Sequence, residues 1–123
     1  MPKVFIIDDD QTMVYLLRTL LEMDGFEVAE VRDWDAILET VEVENPDLVL
    51  MDYFLPDLDG LELLTQLRAD PNLAQVRIVM SSGMDVSDQC IAAGADAFLL
   101  KPYTPEQLVE VIKENVGEDG AGS

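Results

Sequence analysis

Four aspartates carry most of the chemistry this chain can offer. Asp8, Asp9 and Asp10 follow the apolar run Val4-Phe5-Ile6-Ile7, and Asp52 follows Leu48-Val49-Leu50-Met51. If those runs are neighbouring strands, at least three carboxylates face one crevice. Two unit charges about 5 Å apart repel by roughly 3 kcal/mol at an effective dielectric near 20. Such a cluster either holds a proton on one member or recruits a cation. Oxygen-only ligands suit magnesium, which keeps several waters and takes phosphate as a co-ligand. A plainer reading makes the aspartates caps for the helix that follows, whose N-terminus favours negative charge. For Asp10 that plainer reading is preferred.

Two further apolar runs end in Ser81-Ser82-Gly83 and in Lys101-Pro102. A hydroxyl and an ammonium there can both reach an anion held by the carboxylates. Each residue alone says little, because serine is a common turn residue and lysine is usually solvated. The joint pattern discriminates: Asp pair, Asp, Ser and Lys-Pro each close a different run of one alternating chain.

Composition removes most other chemistry. The 123 residues suit one domain, and 49% hydrophobic with 27% charged residues is a globular balance. Without histidine there is no imidazole base, no Ser-His-Asp triad and no ordinary zinc site. The lone Cys90 excludes an internal disulfide and fits a reducing compartment. With 26 acidic against 7 basic residues the formal charge is -19, which argues against direct nucleic-acid binding and against anionic lipid. No apolar run approaches the ~20 residues of a membrane helix, and the first one is too short for a signal peptide. The expected location is cytoplasmic.

The elements that must position these groups alternate. Lys3–Ile7, Phe26–Val31, Leu48–Met51, Val76–Met80 and Ala97–Leu100 are short, apolar and rich in β-branched residues, as buried strands are. Between them lie helical spacings. Met13, Leu16, Leu17, Leu20 and Leu21 form one apolar face, stopped by Gly25. Trp34, Ile37, Leu38 and Val41 mark a second helix, for which Asp33 is the candidate cap. Leu61, Leu64 and Leu67 mark a third, opened by Asp59-x-x-Glu62 and closed before Pro71. Ser82 to Gly94 leaves room for about two turns of helix. The last helix opens with Thr104 as cap, Pro105 at its first position and Gln107 completing a capping box. Five strands alternating with helices predict an α/β fold, a parallel sheet covered on both faces. Such a sheet binds ligands beyond the carboxyl ends of its strands. The tail from Gly117 to Ser123 is Gly-rich and expected to fray.

With the motifs IIDDD at 6–10, VLMDYFLPDLDGLELL at 49–64, MSSG at 80–83 and AGADAFLLKPYTPEQL at 93–108, the chain resembles the receiver domain of two-component response regulators, a CheY-like fold. The likeness runs from Lys3 to about Val116, which sets the expected domain at 1–116 and the tail at 117–123. It implies a flavodoxin-like sandwich with strand order 2-1-3-4-5. It also implies a phosphoryl acceptor that assists its own phosphorylation and dephosphorylation rather than a conventional enzyme. The donor would be a histidine kinase or a histidine phosphotransfer protein, and the target an unknown downstream effector protein. By the same likeness Asp52 is the acceptor. Asp9, Asp52 and the backbone carbonyl of Phe54 are ligands of Mg2+ (or Mn2+), with Asp8 acting through water. Ser81 and Lys101 stabilise the phosphoryl group, Phe98 is the aromatic switch, and Pro102 follows a cis peptide bond. Phe54 and Gly83 stand at positions that tune hydrolysis, with opposing effects.

On the first helix Val14, Tyr15 and Arg18 fall outside the expected apolar face, on the surface with which the family docks a phosphodonor. One departure concerns the segment from Ser81 to Lys101, about two residues shorter than usual, which puts the fourth-helix surface in doubt. Two alternatives remain: a Mg-dependent phosphatase of the haloacid dehalogenase type, and a receiver-like interaction module that is never phosphorylated.

Overall fold

In the computed structural model, which describes residues 2–116, five parallel strands form one sheet. The strands are β1 (Lys3–Ile7), β2 (Glu27–Glu30), β3 (Leu48–Asp52), β6 (Arg77–Ser82) and β7 (Ala97–Leu100), in the order β2-β1-β3-β6-β7. Two-residue strands β4 (Phe54–Leu55) and β5 (Leu58–Asp59) pair antiparallel just beyond β3. The helices are α1 (Gln11–Met23), α2 (Ile37–Glu44), α3 (Gly60–Ala69), α4 (Ser87–Ala92) and α5 (Pro105–Val116). The five-stranded order is the one the resemblance implies, with the small hairpin inserted after the third strand. The tail from 117 lies outside the described residues.

Strand alternation divides the core into two layers. Val4, Ile6, Leu48, Leu50, Val79 and Leu99 face α1 and α5, where Val14, Leu17, Leu21, Leu108 and Ile112 cover them. Phe5, Ile7, Val49, Met51, Ile78 and Met80 face α2, α3 and α4. Strands buried on both faces need continuous apolar sequence, which β1 and β3 have.

The turn chemistry follows the sequence at most helix ends. Asp10 accepts from the amide of Met13 (3.1 Å), and Asp59 accepts from Leu61 and Glu62. Thr104 and Gln107 bond each other's amides reciprocally (2.8 and 3.0 Å), a complete capping box. Past α1, Gly25 adopts φ +91°, and the amides of Gly25 and Phe26 donate to the carbonyls of Glu22 and Leu21. Those two bonds are the left-handed helix stop that favours glycine. Gly60 is required for a different reason: a Cβ there would lie 2.5 Å from the carbonyl oxygen of Tyr53.

Three expectations are corrected. The buried face of α1 is Val14, Leu17 and Leu21, so Val14, only 3% exposed, is core and not a docking residue. Leu16, assigned to the core, is instead 50% exposed. Burial of a valine side chain stabilises by about 1.5–3 kcal/mol, so a charge at position 14 would destabilise the core rather than probe a surface. Arg18 is also engaged: its guanidinium donates to Glu30 (2.8 and 3.1 Å) and to Glu22 (3.2 Å), and the bond to Glu30 raises its pKa. Of the three proposed docking residues only Tyr15, 69% exposed, stands clear of the domain. Finally, Asp33 does not cap α2. It accepts from Asp35 in a turn, and the helix starts at Ile37 after Ala36, with no side-chain cap.

Candidate functional site

The two-residue alternation that builds the core also aims the polar groups. On the face covered by α1 and α5, Val4 and Ile6 lead to Asp8, Leu48 and Leu50 to Asp52, Val79 to Ser81, and Leu99 to Lys101. Asp52 and Ser81 are register partners on β3 and β6. Four polar side chains from four strand ends therefore converge at one rim of the sheet, beyond the carboxyl ends of its central strands.

The distances bear this out. Carboxylate oxygens of Asp8, Asp9 and Asp52 all lie within 4.8 Å of one another. Lys101 Nζ stands 3.3 Å from Asp52 Oδ2 and 3.8 Å from Asp8 Oδ2, so one ammonium serves two anions. Asp8 is the innermost group, its side chain 5% exposed against 12% for Asp52. Burial pushes its carboxyl above the ordinary range; the amide of Asp10 (2.9 Å) and Lys101 pull it back, and the charges of Asp52 and Asp9 push it further up. Asp9 is exposed at the mouth. The arrangement has an excess of oxygen ligands and a deficit of positive charge, the donor set of a hard divalent cation.

Around this centre, the amide of Phe54 donates to Asp52 Oδ1 (3.4 Å), and the amide of Tyr53 donates to the carbonyl of Ser81 (2.8 Å). The Phe54 ring is exposed and packs edge-on against Tyr53, their centroids 4.8 Å apart. Ser81 is buried beside Asp52. Ser82, fully buried, accepts from the amide of Met84 (3.0 Å) and so fixes the loop after β6. Phe98 lies on the opposite face of the sheet from Lys101, half-buried against the layer beneath α2, α3 and α4. The Lys101–Pro102 peptide is cis.

Tyr103 was not foreseen. It follows the Lys-Pro pair, and burial, with the charges of Asp8 and Asp52 adding to it, pushes its phenol up to about 12. With Lys101, Met13 and Leu16 it lines a groove of about 490 Å³ beside the acidic centre. A hydroxyl-bearing aromatic immediately after the pair was the available clue.

Comparison with known proteins gives a consistent result. The family model for the response regulator receiver domain matches residues 4–113. The transcriptional regulatory protein PrrA of Mycobacterium tuberculosis is 36% identical over 114 residues, 91% of this chain and 48% of that protein. The alkaline phosphatase synthesis regulator PhoP of Bacillus subtilis is 31% identical over 113 residues, 90% of this chain and 47% of that one. The chain thus spans about half the length of the curated relatives it matches. A putative response regulator from Chloroflexus aurantiacus superposes with a TM-score of 0.87 at 29% identity, covering 95% of this chain and 99% of that one. The receiver domain of sensor histidine kinase PA1611 from Pseudomonas aeruginosa, described with a magnesium ion coordinated in its active-site cleft, shares the fold. Its TM-score is 0.83 at 24% identity, over 94% of this chain and 98% of that one.

These relatives bear on the other expectations. Several are named as transcriptional or DNA-binding regulators, so the expected absence of nucleic-acid contact finds no support at the level of whole proteins. The repulsion argument applies only to this domain's own surface. No described helix is long and apolar enough to cross a membrane. The matched family works in signalling rather than as conventional enzymes, interacts with histidine kinases and typically accepts a phosphoryl group; the phosphatase alternative finds no such support. By sequence, by topology and by the acidic rim, the chain belongs to the response regulator receiver domain family.

Proposed function

We propose that Asp52 takes a phosphoryl group from a phosphohistidine of a histidine kinase or a histidine phosphotransfer protein, and that the domain signals through the resulting change in its surface. The carrying observation is the convergence of Asp8, Asp9 and Asp52 within 4.8 Å, with Lys101 3.3 Å from Asp52. An Asp52 oxygen attacks phosphorus in line with the donor's P–N bond. The acyl phosphate bond forms as that bond breaks, and the released imidazole takes its proton from solvent. Such transfer is chiefly positioning and charge neutralisation.

Asp9, Asp52 and the Phe54 carbonyl, with Asp8 through water, would hold a Mg2+ (or Mn2+) ion, which would supply positive charge to the phosphoryl oxygens. The three-carboxylate donor set fits that ion. Lys101 pairs with a phosphoryl oxygen as a point charge. In forming that pair it leaves Asp8, which is why an ammonium shared between two carboxylates suits the step. Ser81 turns its hydroxyl toward the phosphoryl group. Phe98, on the other face of the sheet, then turns as the aromatic switch, altering the face made by α4, β7 and α5 for an effector protein. On α1 the exposed Tyr15 and Leu16 meet the phosphodonor. A cytoplasmic location follows from such a donor.

The test is phosphorylation by acetyl phosphate with magnesium, followed by mass mapping. One phosphoryl group on Asp52, lost in Asp52→Asn, is the expected result. Modification elsewhere, or labelling unaltered in Asp52→Asn, overturns the reading; no labelling at all revives the interaction module.

A further inference from the structure

A second groove adjoins the one lined by Tyr103, with which it shares Leu20 and Pro105. It runs between α1 and α5, encloses about 800 Å³, and has Leu20, Met23, Pro105 and Val109 as its apolar lining. Along one wall stand Glu106, Glu110 and Glu114, and Asp24 closes the end. Lys113, the one cation lining it, is 2.9 Å from Asp24.

The glutamates recur every four residues, so they stack on one stripe of α5 about 12 Å long at 1.5 Å per residue. Like charges at that spacing repel one another and weaken a helix. Among the described residues no ion pair engages any of the three. The stripe is therefore a local electrostatic cost set beside an exposed apolar floor, and a cationic occupant would relieve both.

We propose that this groove seats a basic amphipathic helix of a partner protein, its apolar side on Leu20, Met23 and Val109 and its lysines or arginines against Glu106, Glu110 and Glu114. Charge complementarity selects that occupant. A second copy of this chain brings the same acidic stripe and a formal charge of -19. Of its seven basic residues, Lys3, Arg18, Arg68, Lys101 and Lys113 are already in internal ion pairs. Anionic lipid and nucleic acid are repelled. Two neighbouring helices flanking an apolar floor accept a third helix through anchors at i, i+3, i+4 and i+7. The inference goes beyond phosphoryl acceptance and stands or falls separately from it.

The experiment titrates the isotopically labelled chain with two synthetic helical peptides sharing one leucine stripe, one flanked by lysine and one by glutamate. For the lysine peptide, amide shifts should centre on Leu20, Met23, Val109 and Glu110, with affinity falling as salt rises. The glutamate peptide should bind at least about tenfold more weakly. Glu110→Lys with Glu114→Lys should reverse that preference while acetyl phosphate still labels Asp52, and Asp52→Asn should bind the lysine peptide unchanged. Shifts scattered over the acidic surface, or a preference untouched by charge reversal, overturn the proposal. So does self-association by sedimentation that Met23→Glu abolishes, which would give the groove to a second copy.

Discussion

The two ends of the sheet handle charge in opposite ways. At the amino-terminal rim Lys3, Arg68 and Arg77 each have partners of their own. Lys3 donates from its ammonium to Glu44 (3.1 Å) and from its amide to Asp47 (2.8 Å), and Arg77 reaches the carbonyl of Asn115. Arg68 ties Asp96 and the carbonyls of Gly94, Ala74 and Val76 into one hub. At the carboxyl rim three carboxylates crowd together, and two of them, Asp8 and Asp52, share one ammonium. The first rim closes the fold, and the second leaves a charge deficit that a cation and a phosphoryl group can complete. A strand end with unbalanced charge is thus the place to look for chemistry, and one with paired charge the place to look for stability.

Several experiments would break or sharpen this contrast. Lys101→Ala should cut acetyl phosphate labelling of Asp52 by about a hundredfold, the scale of losing one donor to a developing anion, as measured by the initial rate of label uptake. Magnesium at a hundredfold excess over Kd should stabilise the domain by about 2.7 kcal/mol, roughly 10 °C in Tm for this size. That rise should vanish with a chelator or in Asp8→Asn/Asp9→Asn; an equal rise in the double variant would move the metal elsewhere.

In metal-free buffer Asp8→Asn should raise Tm at pH 7. The folded pKa of Asp8 lies above its unfolded value, so native protein binds its proton more tightly and stability falls as pH rises through that window. The variant's advantage should disappear below about pH 4, near the unfolded pKa. At the opposite rim Lys3→Ala should cost no more than about 1 kcal/mol in chemical denaturation, as partly exposed ion pairs do, and leave labelling intact. Smallest of all, Tyr103 should ionise late, near 12, in an ultraviolet pH titration. Its raised pKa means stability is lost as pH climbs above the ordinary phenol value of about 10, and Tyr103→Phe should remove that late step.

Much of the site could be read from the chain because the same period-two rule that buries Val4, Ile6, Leu48 and Leu50 also fixes where Asp8 and Asp52 emerge. The cap at Asp59 and the capping box at Thr104 were legible because they depend on neighbours two or three residues away. The face of α1 was not. Six apolar residues between Met13 and Leu21 support two overlapping stripes. Contact with both the sheet and α5 chose Val14, Leu17 and Leu21, leaving Leu16 half out. The hairpin at 54–59 has two residues per strand, too few for any periodicity to register. The start of α2 escaped because Asp33 spent its oxygen on a local turn, a competition that sequence leaves undecided.

Gly60 carries a consequence for how mutations reach the acceptor. A methyl group there would strike the Tyr53 carbonyl oxygen at 2.5 Å, and that carbonyl belongs to the same rigid peptide plane as the Phe54 N–H aimed at Asp52. Tilting the plane to make room would swing the N–H off target. A neutral, uncharged substitution outside the acidic rim could thus silence the domain mechanically, as a wedge does a hinge, with every ionisable side chain left in place.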